Sequence, residues 1–218
     1  MPVKPFADLS SSPKRAEICR TAARIFRAQG FDATSVSDIA RALGITKAGL
    51  YHYFTSKEAL LLEIMMFGLD CVEAEVLAPA RAIVDPEERL RQIVTRHARI
   101  STRAQGAIVS LTDETRALPP AARKKVKQLQ RHYFDVVRGT LAELEQAGRL
   151  RDVDLTVAAF SVIGMILWLP RWFRQGGRLT SEQAAVEISN MVLAGLVQTR
   201  ARGQRPQARG LRARGKRR

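Results

Sequence analysis

Residues 35–57 read SVSDIARALGITKAGLYHYFTSK, and this stretch decides the fold. Val36, Ile39, Ala40 and Leu43 recur at spacings of three and four, which makes one buried face of a short helix. Ser35 is a good N-cap for that helix, and Asp38 places an acid in its first turn, where the helix dipole favours it. Gly44 supplies the backbone freedom for a tight reversal, and Ile45 returns to the core. Thr46 caps a second short helix over residues 47–54, with Leu50 and Phe54 on its inner side. Two short helices about such a turn form a helix-turn-helix, whose second helix is free to enter a major groove.

The opposite side of that second helix carries Lys47, Ala48, Gly49, Tyr51, His52 and Tyr53, the expected DNA-facing residues. Lys47 suits a guanine edge or a phosphate, and Ala48 an apolar contact in the groove. Gly49 has no side chain, so the backbone can come close to the duplex. The hydroxyls of Tyr51 and Tyr53 suit phosphate oxygens, contacts that set register without reading sequence. Thr34, Ser35 and Thr46, at the starts of the two helices, are placed for the same work.

Outward from the motif the chain reads as helix throughout. Ser12 and Pro13 open a first helix whose inner stripe is Ile18, Ala22, Ile25 and Phe26, and Gly30 stops it. Lys14 and Arg15, near its start, lie on other faces and are either solvated or aimed at flanking phosphates. Thr55 and Glu58 have capping-box spacing ahead of a helix running from Leu60 to about Pro79. That helix begins in one domain and ends against the next, which makes it their mechanical link.

Asp85-Pro86-Glu87-Glu88 starts another helix, and a short apolar piece follows over residues 107–111. Pro119-Pro120 opens a long helix that Gly148 ends. Asp152 or Asp154 caps an apolar helix that Pro170 should kink, and Thr180 with Gln183 boxes the last one. The sequence predicts an all-α protein of about nine helices. Its expected divisions are an N-terminus over 1–11, a three-helix DNA-binding domain over 12–58 (motif 35–54), a ligand-binding and dimerisation domain over 59–199, and a basic disordered tail over 200–218.

Composition narrows the classes. The 218 residues carry a net charge of +15, and nine cations after Thr199 with no acid among them account for more than half of it. That tail is either a solubilising extension or a sequence-independent arm for phosphates. The longest apolar run, residues 155–169, is short of the roughly 20 residues of a membrane span, and no export signal precedes the first helix. A cytoplasmic protein with no membrane partner is the expectation. Cys19 and Cys71 read as packing thiols of a reducing compartment. His52, His97 and His132 have no metal-ligand spacing, and neither a nucleophile elbow nor a phosphate-cradling glycine loop is present. An enzyme is therefore disfavoured, and no metal, cofactor or catalytic residue is expected. A nonspecific nucleic-acid-binding protein driven by the tail is the competing class.

The matched positions Ala22 to Phe26, Gly30-Phe31, Thr34-Ser35, Asp38-Ile39-Ala40, Leu43-Gly44, Gly49-Leu50-Tyr51, Phe54, Lys57 and Leu60-Leu61 resemble the DNA-binding domain of the TetR/AcrR regulators. The resemblance implies a homodimer on a palindromic operator, most often a repressor released by a small-molecule inducer. It also implies a phosphate contact from Lys57 at the start of the fourth helix. One departure stands out: the family usually has His before the Phe that ends the recognition helix, whereas Tyr53 stands there and His52 comes one place earlier.

Dimers that resemble this family pair their last two helices. Here those helices carry the small residues Ala158, Ala159, Ser161, Gly164, Ala194 and Gly195, and a place in the monomer core is the competing reading. Residues 117–137 (ALPPAARKKVKQLQRHYFDVV), 165–174 and 176–180 resemble the branch that controls fatty-acid or steroid catabolism, whose members often respond to acyl-CoA thioesters. That resemblance points to Phe160, Met165, Trp168 and Trp172 as an apolar box, with Arg171 and Arg174 as cations for the phosphates. A hydrophobic ligand without coenzyme A is the alternative inducer.

Overall fold

The computed structural model describes residues 12–102 and 115–198. The expectations for 1–11, for the apolar piece at 107–111 and for the tail at 200–218 lie outside the described residues. Eight helices account for most of the rest: α1 (Pro13–Gln29), α2 (Val36–Ala42), α3 (Lys47–Tyr53), α4 (Lys57–Val72), α5 (Pro86–Thr102), α6 (Pro120–Gln146), α7 (Leu155–Trp172) and α8 (Ser181–Leu196). α4 does not stop at Val72 but runs on through a π turn, Glu73–Leu77, and a last turn, Ala78–Ala80.

Local chemistry explains most of the boundaries. Pro13 sits at the first position of α1, and Gly30 ends that helix at φ 88°. Ser35 and Asp38 close a reciprocal capping box on α2. Gly44 turns the chain at φ 64°, a conformation that costs a residue with a Cβ. The Oγ1 of Thr46 accepts from the Gly49 amide at 2.9 Å and starts α3. α4 departs from expectation: Ser56, not Thr55, is its cap, accepting from the Ala59 amide at 3.0 Å. Asp85 caps α5 through the Glu88 amide, Asp154 caps α7, and Thr180 with Gln183 boxes α8. Pro170 does not interrupt α7, which continues for two more residues to Trp172 and ends within the turn that the proline begins.

Two apolar cores result. The first gathers Ile18, Ala22 and Phe26 of α1, Ile39 of α2, Leu50 and Phe54 at α3, and Leu60, Leu61, Ile64 and Met65 of α4. Leu118 and Val126, at the entry to and the start of α6, also lie in it. The second core joins Val72, Val76 and Leu77 at the far end of α4 to inner faces of α5, α6, α7 and α8. α4 and α6 therefore take part in both cores.

Within the second unit α8 runs antiparallel to α5. Glu182 pairs with Arg99 near one end, while at the other Val197 bridges Leu150 and Arg149 grips Asp85 and Glu87.

Candidate nucleic-acid interface and ligand domain

α3 is held from behind by α1 and α4. The guanidinium of Arg15 makes a bidentate pair with Glu63 of α4, donates to the Tyr53 carbonyl at 2.8 Å and lies 4.4 Å from the Phe54 ring centre. Bidentate pairing fixes direction as well as distance, so this cation orients the C-terminal end of α3. Arg15 is thus engaged inside the protein, where the sequence had left a phosphate open as its partner. Lys14 pairs with Glu17 at 3.0 Å. No local pattern announces the Arg15–Glu63 pair, because its members lie 48 residues apart.

The ten residues expected at DNA fall into three groups. Ser35, at the start of α2, and Thr46, Lys47, Ala48, Tyr51 and His52, at the start and on the outer face of α3, are exposed. Lys47 and Tyr51 form one unit, the ammonium 6.0 Å from the phenol ring, and His52 meets Tyr53 edge-on at 5.3 Å. Gly49 and Tyr53 are half-buried, and Tyr53 packs on the first core. A Cβ on Gly49 would come within 3.3 Å of Thr46 Oγ1, so the missing side chain also protects the cap.

Thr34 and Lys57 are turned to internal work. Thr34 is 1% exposed, its hydroxyl donates to the Gly30 carbonyl at 2.7 Å and its amide to the Phe31 carbonyl at 3.2 Å, so both of its donors are engaged within the protein. Lys57 Nζ donates to the carbonyls of Phe31 and Thr34, each at 2.9 Å, and sits 4.2 Å from the Phe31 ring. That ammonium closes the loop ahead of α2 onto the start of α4.

In the second unit the residues expected to form an apolar box do not enclose anything. Phe160 and Trp168 are 62% and 58% exposed, and Met165 and Trp172 share the same outer side of α7. Arg171 stacks on Trp168 at 4.7 Å, and Arg174 follows, exposed, beyond the helix end. The apolar surface of α7 goes all the way round, and only about a third of the helix is buried. By length and composition it is the one described helix long and apolar enough to cross a membrane. Its inner arc, Ala158, Ala159, Val162, Ile166 and Leu169, completes the second core. On α8, Val186 and Met191 are likewise exposed, Met191 to 65%. The small residues divide: Ala158 and Ala159 are inside, whereas Ser161, Gly164, Ala194 and Gly195 are outside.

A shallow hollow of about 610 Å³ opens on the outer face of α6 among Arg123, Lys124, Lys127, Arg131 and His132. Its walls are side chains of a single helix, and Arg123 and Arg131 are occupied by carbonyls and by Asp135. It has the character of a solvated face.

The interior of the second unit is more informative. His97 of α5 is fully buried, its Nδ1 2.7 Å from the hydroxyl of Tyr133 on α6. Burial pushes the imidazole pKa down to about 4 and the Tyr133 phenol upward, so both are neutral near pH 7. Cys19 is likewise pushed up to about 12, chiefly by burial, which keeps it a packing thiol. Among the described residues no group of three or more His, Cys, Asp or Glu is arranged to hold a metal.

Comparison with known proteins agrees with this architecture. Residues 18–64 match the family described as bacterial regulatory proteins, tetR family, and residues 84–196 match the tetracyclin repressor-like C-terminal domain. The HTH-type transcriptional repressor KstR2 of Rhodococcus jostii is 30% identical over 85% of this chain and 92% of its own length. The crystal structure of AibR in complex with isovaleryl coenzyme A and operator DNA is 37% identical, with a TM-score of 0.73 over 81% of this chain and 96% of AibR. The ketosteroid regulator KstR2 of Mycobacterium tuberculosis superposes with a TM-score of 0.77 at 27% identity, over 85% of this chain and 96% of its own.

Proposed function

Because the chain belongs to the TetR family of bacterial regulatory proteins and is a sequence-specific DNA-binding regulator, we propose that it is a cytoplasmic repressor that an acyl-CoA thioester releases from a palindromic operator. Residues 12–58 read the DNA and 59–199 bind ligand and partner, with α4 shared between them. Lys47, Ala48, Tyr51 and His52 face the groove, and Ser35, Thr46 and Tyr53 hold phosphates. Such a helix reads only a few base pairs, so useful affinity requires two copies about 34 Å apart on the duplex.

The single observation that carries the dimer is the outward apolar stripe of α7 and α8. Val157, Phe160, Met165, Trp168, Trp172, Val186 and Met191 are all exposed in the isolated subunit. A monomer rarely leaves so contiguous an apolar surface to water. A second copy laid on the same stripe about a two-fold axis covers it and makes a four-helix bundle. We therefore reassign Phe160, Met165, Trp168 and Trp172 from a ligand box to that interface, and keep Arg171 and Arg174 as cations for the ligand's phosphates.

Release requires that ligand favour a subunit arrangement in which the two α3 helices are wrongly spaced. α4 is the transmitting element, since Leu60–Met65 belong to the DNA-side core and Val72–Leu77 to the ligand-side core. A coupling of about 1–3 kcal/mol changes operator affinity by roughly 5–150-fold. The support for a thioester is the isovaleryl-CoA complex of AibR, the more similar in sequence of the two solved structures compared above.

The test has two steps. Duplexes selected from a random pool by the full chain should be palindromic, and isovaleryl-CoA or a longer acyl-CoA should weaken binding to the selected site. A pool without two-fold symmetry removes the dimeric reader. Equal affinity with and without every thioester removes the acyl-CoA and leaves a hydrophobic ligand without it.

A further inference from the structure

α5 devotes two interior positions one turn apart, 97 and 101, to polar side chains on the face it shares with Ile93, Val94 and Ala98. Each is 2% exposed, and His97 Nε2 and Ser101 Oγ have no hydrogen-bond partner. Buried polar atoms are nearly always satisfied, so two orphans on one helix face need a reason.

Neighbouring hydroxyls show that the fold has the usual remedy at hand. Thr102 Oγ1 donates back to the Ala98 and Arg99 carbonyls, and Thr140 Oγ1 to the Val136 carbonyl at 2.9 Å. Ser101 does not use it. A third orphan, Ser189, sits on α8 seven residues beyond Glu182, the partner of Arg99, and so falls about two turns down α5 from Arg99, toward its N-terminal end. It is not part of the pair.

The Tyr133 hydroxyl fixes what His97 offers. A phenol is a better hydrogen-bond donor than a neutral imidazole, so Tyr133 donates to Nδ1 and the ring proton resides on Nε2. His97 Nε2–H and the Ser101 hydroxyl are then two donors without an acceptor on a buried side of α5 whose apolar neighbours Ile93, Val94 and Ala98 belong to the second core.

We propose that His97 and Ser101 together bind a carbonyl oxygen carried by the buried, apolar part of the inducer, so that this interior selects a carbonyl compound over a plain hydrocarbon of the same shape. The proposal rests on the reading of the second unit as a ligand domain, but not on the ligand being a thioester. A carbonyl oxygen has two lone pairs and takes both donors; a hydrocarbon leaves both unpaired. Tyr133 positions the imidazole and does not touch the ligand.

The probes are cyclohexanone and its isostere methylenecyclohexane, added to the full-length protein. Thermal stabilisation yields their relative affinities, and the His97 ring nitrogens are followed by NMR. Cyclohexanone should bind at least tenfold more tightly and shift the Nε2 resonance. Ser101→Ala should raise the melting temperature of the ligand-free protein, because it deletes an unpaired donor, and cut the preference to less than threefold. A lower melting temperature in Ser101→Ala would show that the hydroxyl is satisfied within the fold and overturn the proposal, as would equal affinities for the two probes in the wild type. His97→Phe is a second variant with the same expected loss of preference. Failure of every thioester to release DNA would sink the acyl-CoA reading while leaving the cyclohexanone preference untouched, so the two outcomes are separable.

Discussion

The ammonium of Lys57, at the first position of α4, caps the carbonyl of Phe31 at 2.9 Å while resting 4.2 Å from that residue's ring. With the second bond to Thr34, the same cation closes the turn between α1 and α2 onto the helix that leads to the ligand domain. Lys57→Met keeps the stem and removes the charge. It should cost about 1.5–3 kcal/mol of stability in urea unfolding, the range for hydrogen bonds that involve a charged group. The salt slope of operator binding should be unchanged; a slope reduced by about one with stability intact would return Lys57 to the phosphates.

Gly49 tests the approach of α3 to the groove. Gly49→Ala gains helix propensity of roughly 1 kcal/mol but presses on Thr46 Oγ1, so net stability should move little. Operator affinity should nonetheless fall by about tenfold or more if, as proposed, the α3 backbone at Gly49 approaches the DNA. Titration of labelled operator beside thermal melts separates the two effects, and unaltered affinity would place Gly49 away from the duplex. Lys47→Ala and Tyr51→Ala should each cost roughly 1–3 kcal/mol if they touch bases.

The dimer is tested on its exposed stripe. Trp168→Glu with Met191→Glu puts charges on side chains that are more than half exposed in the subunit, so the fold should persist by circular dichroism. Sedimentation should show a monomer, and operator binding should collapse with it. A variant that stays dimeric would locate the interface elsewhere.

Acid should destabilise the ligand domain through His97. Its folded pKa of about 4 lies below the roughly 6.5 of an unfolded histidine, so the unfolded chain binds the extra proton. The stability that neutral His97 permits is complete above about pH 6.5 and is lost as pH falls toward 4, by about 3 kcal/mol at most. His97→Phe should lose less stability than wild type between pH 7 and pH 4.5. Parallel losses in urea titrations at the two pH values would mean that the imidazole is protonated in place.

What the chain spelled out by itself was local. The Ser35 cap, the Gly44 turn, the Thr46 cap and the Thr180–Gln183 box all involve residues two to four apart, and the structure has them as read; it adds that Asp38 closes a box on Ser35 and that Asp154, of the two candidates, caps α7. The outward arc of α3 was legible for the same reason: a helix with Leu50 and Phe54 inside has only one other side. Three matters were decided only by tertiary structure. Arg15 and Lys57 look like any basic residues near a DNA-binding motif until Glu63, Phe31 and Thr34 come within reach of them. His97 acquires its hydrogen-bond partner from Tyr133, 36 residues away, and its depressed pKa from the core that shuts water out. α7 is apolar all the way round, so periodicity has no preferred direction there. Only the packing of Val162 and Ile166 against α5 and α6 turned Phe160 and Trp168 outward, because a rigid helix that commits one arc to its own core must present the opposite arc to something else.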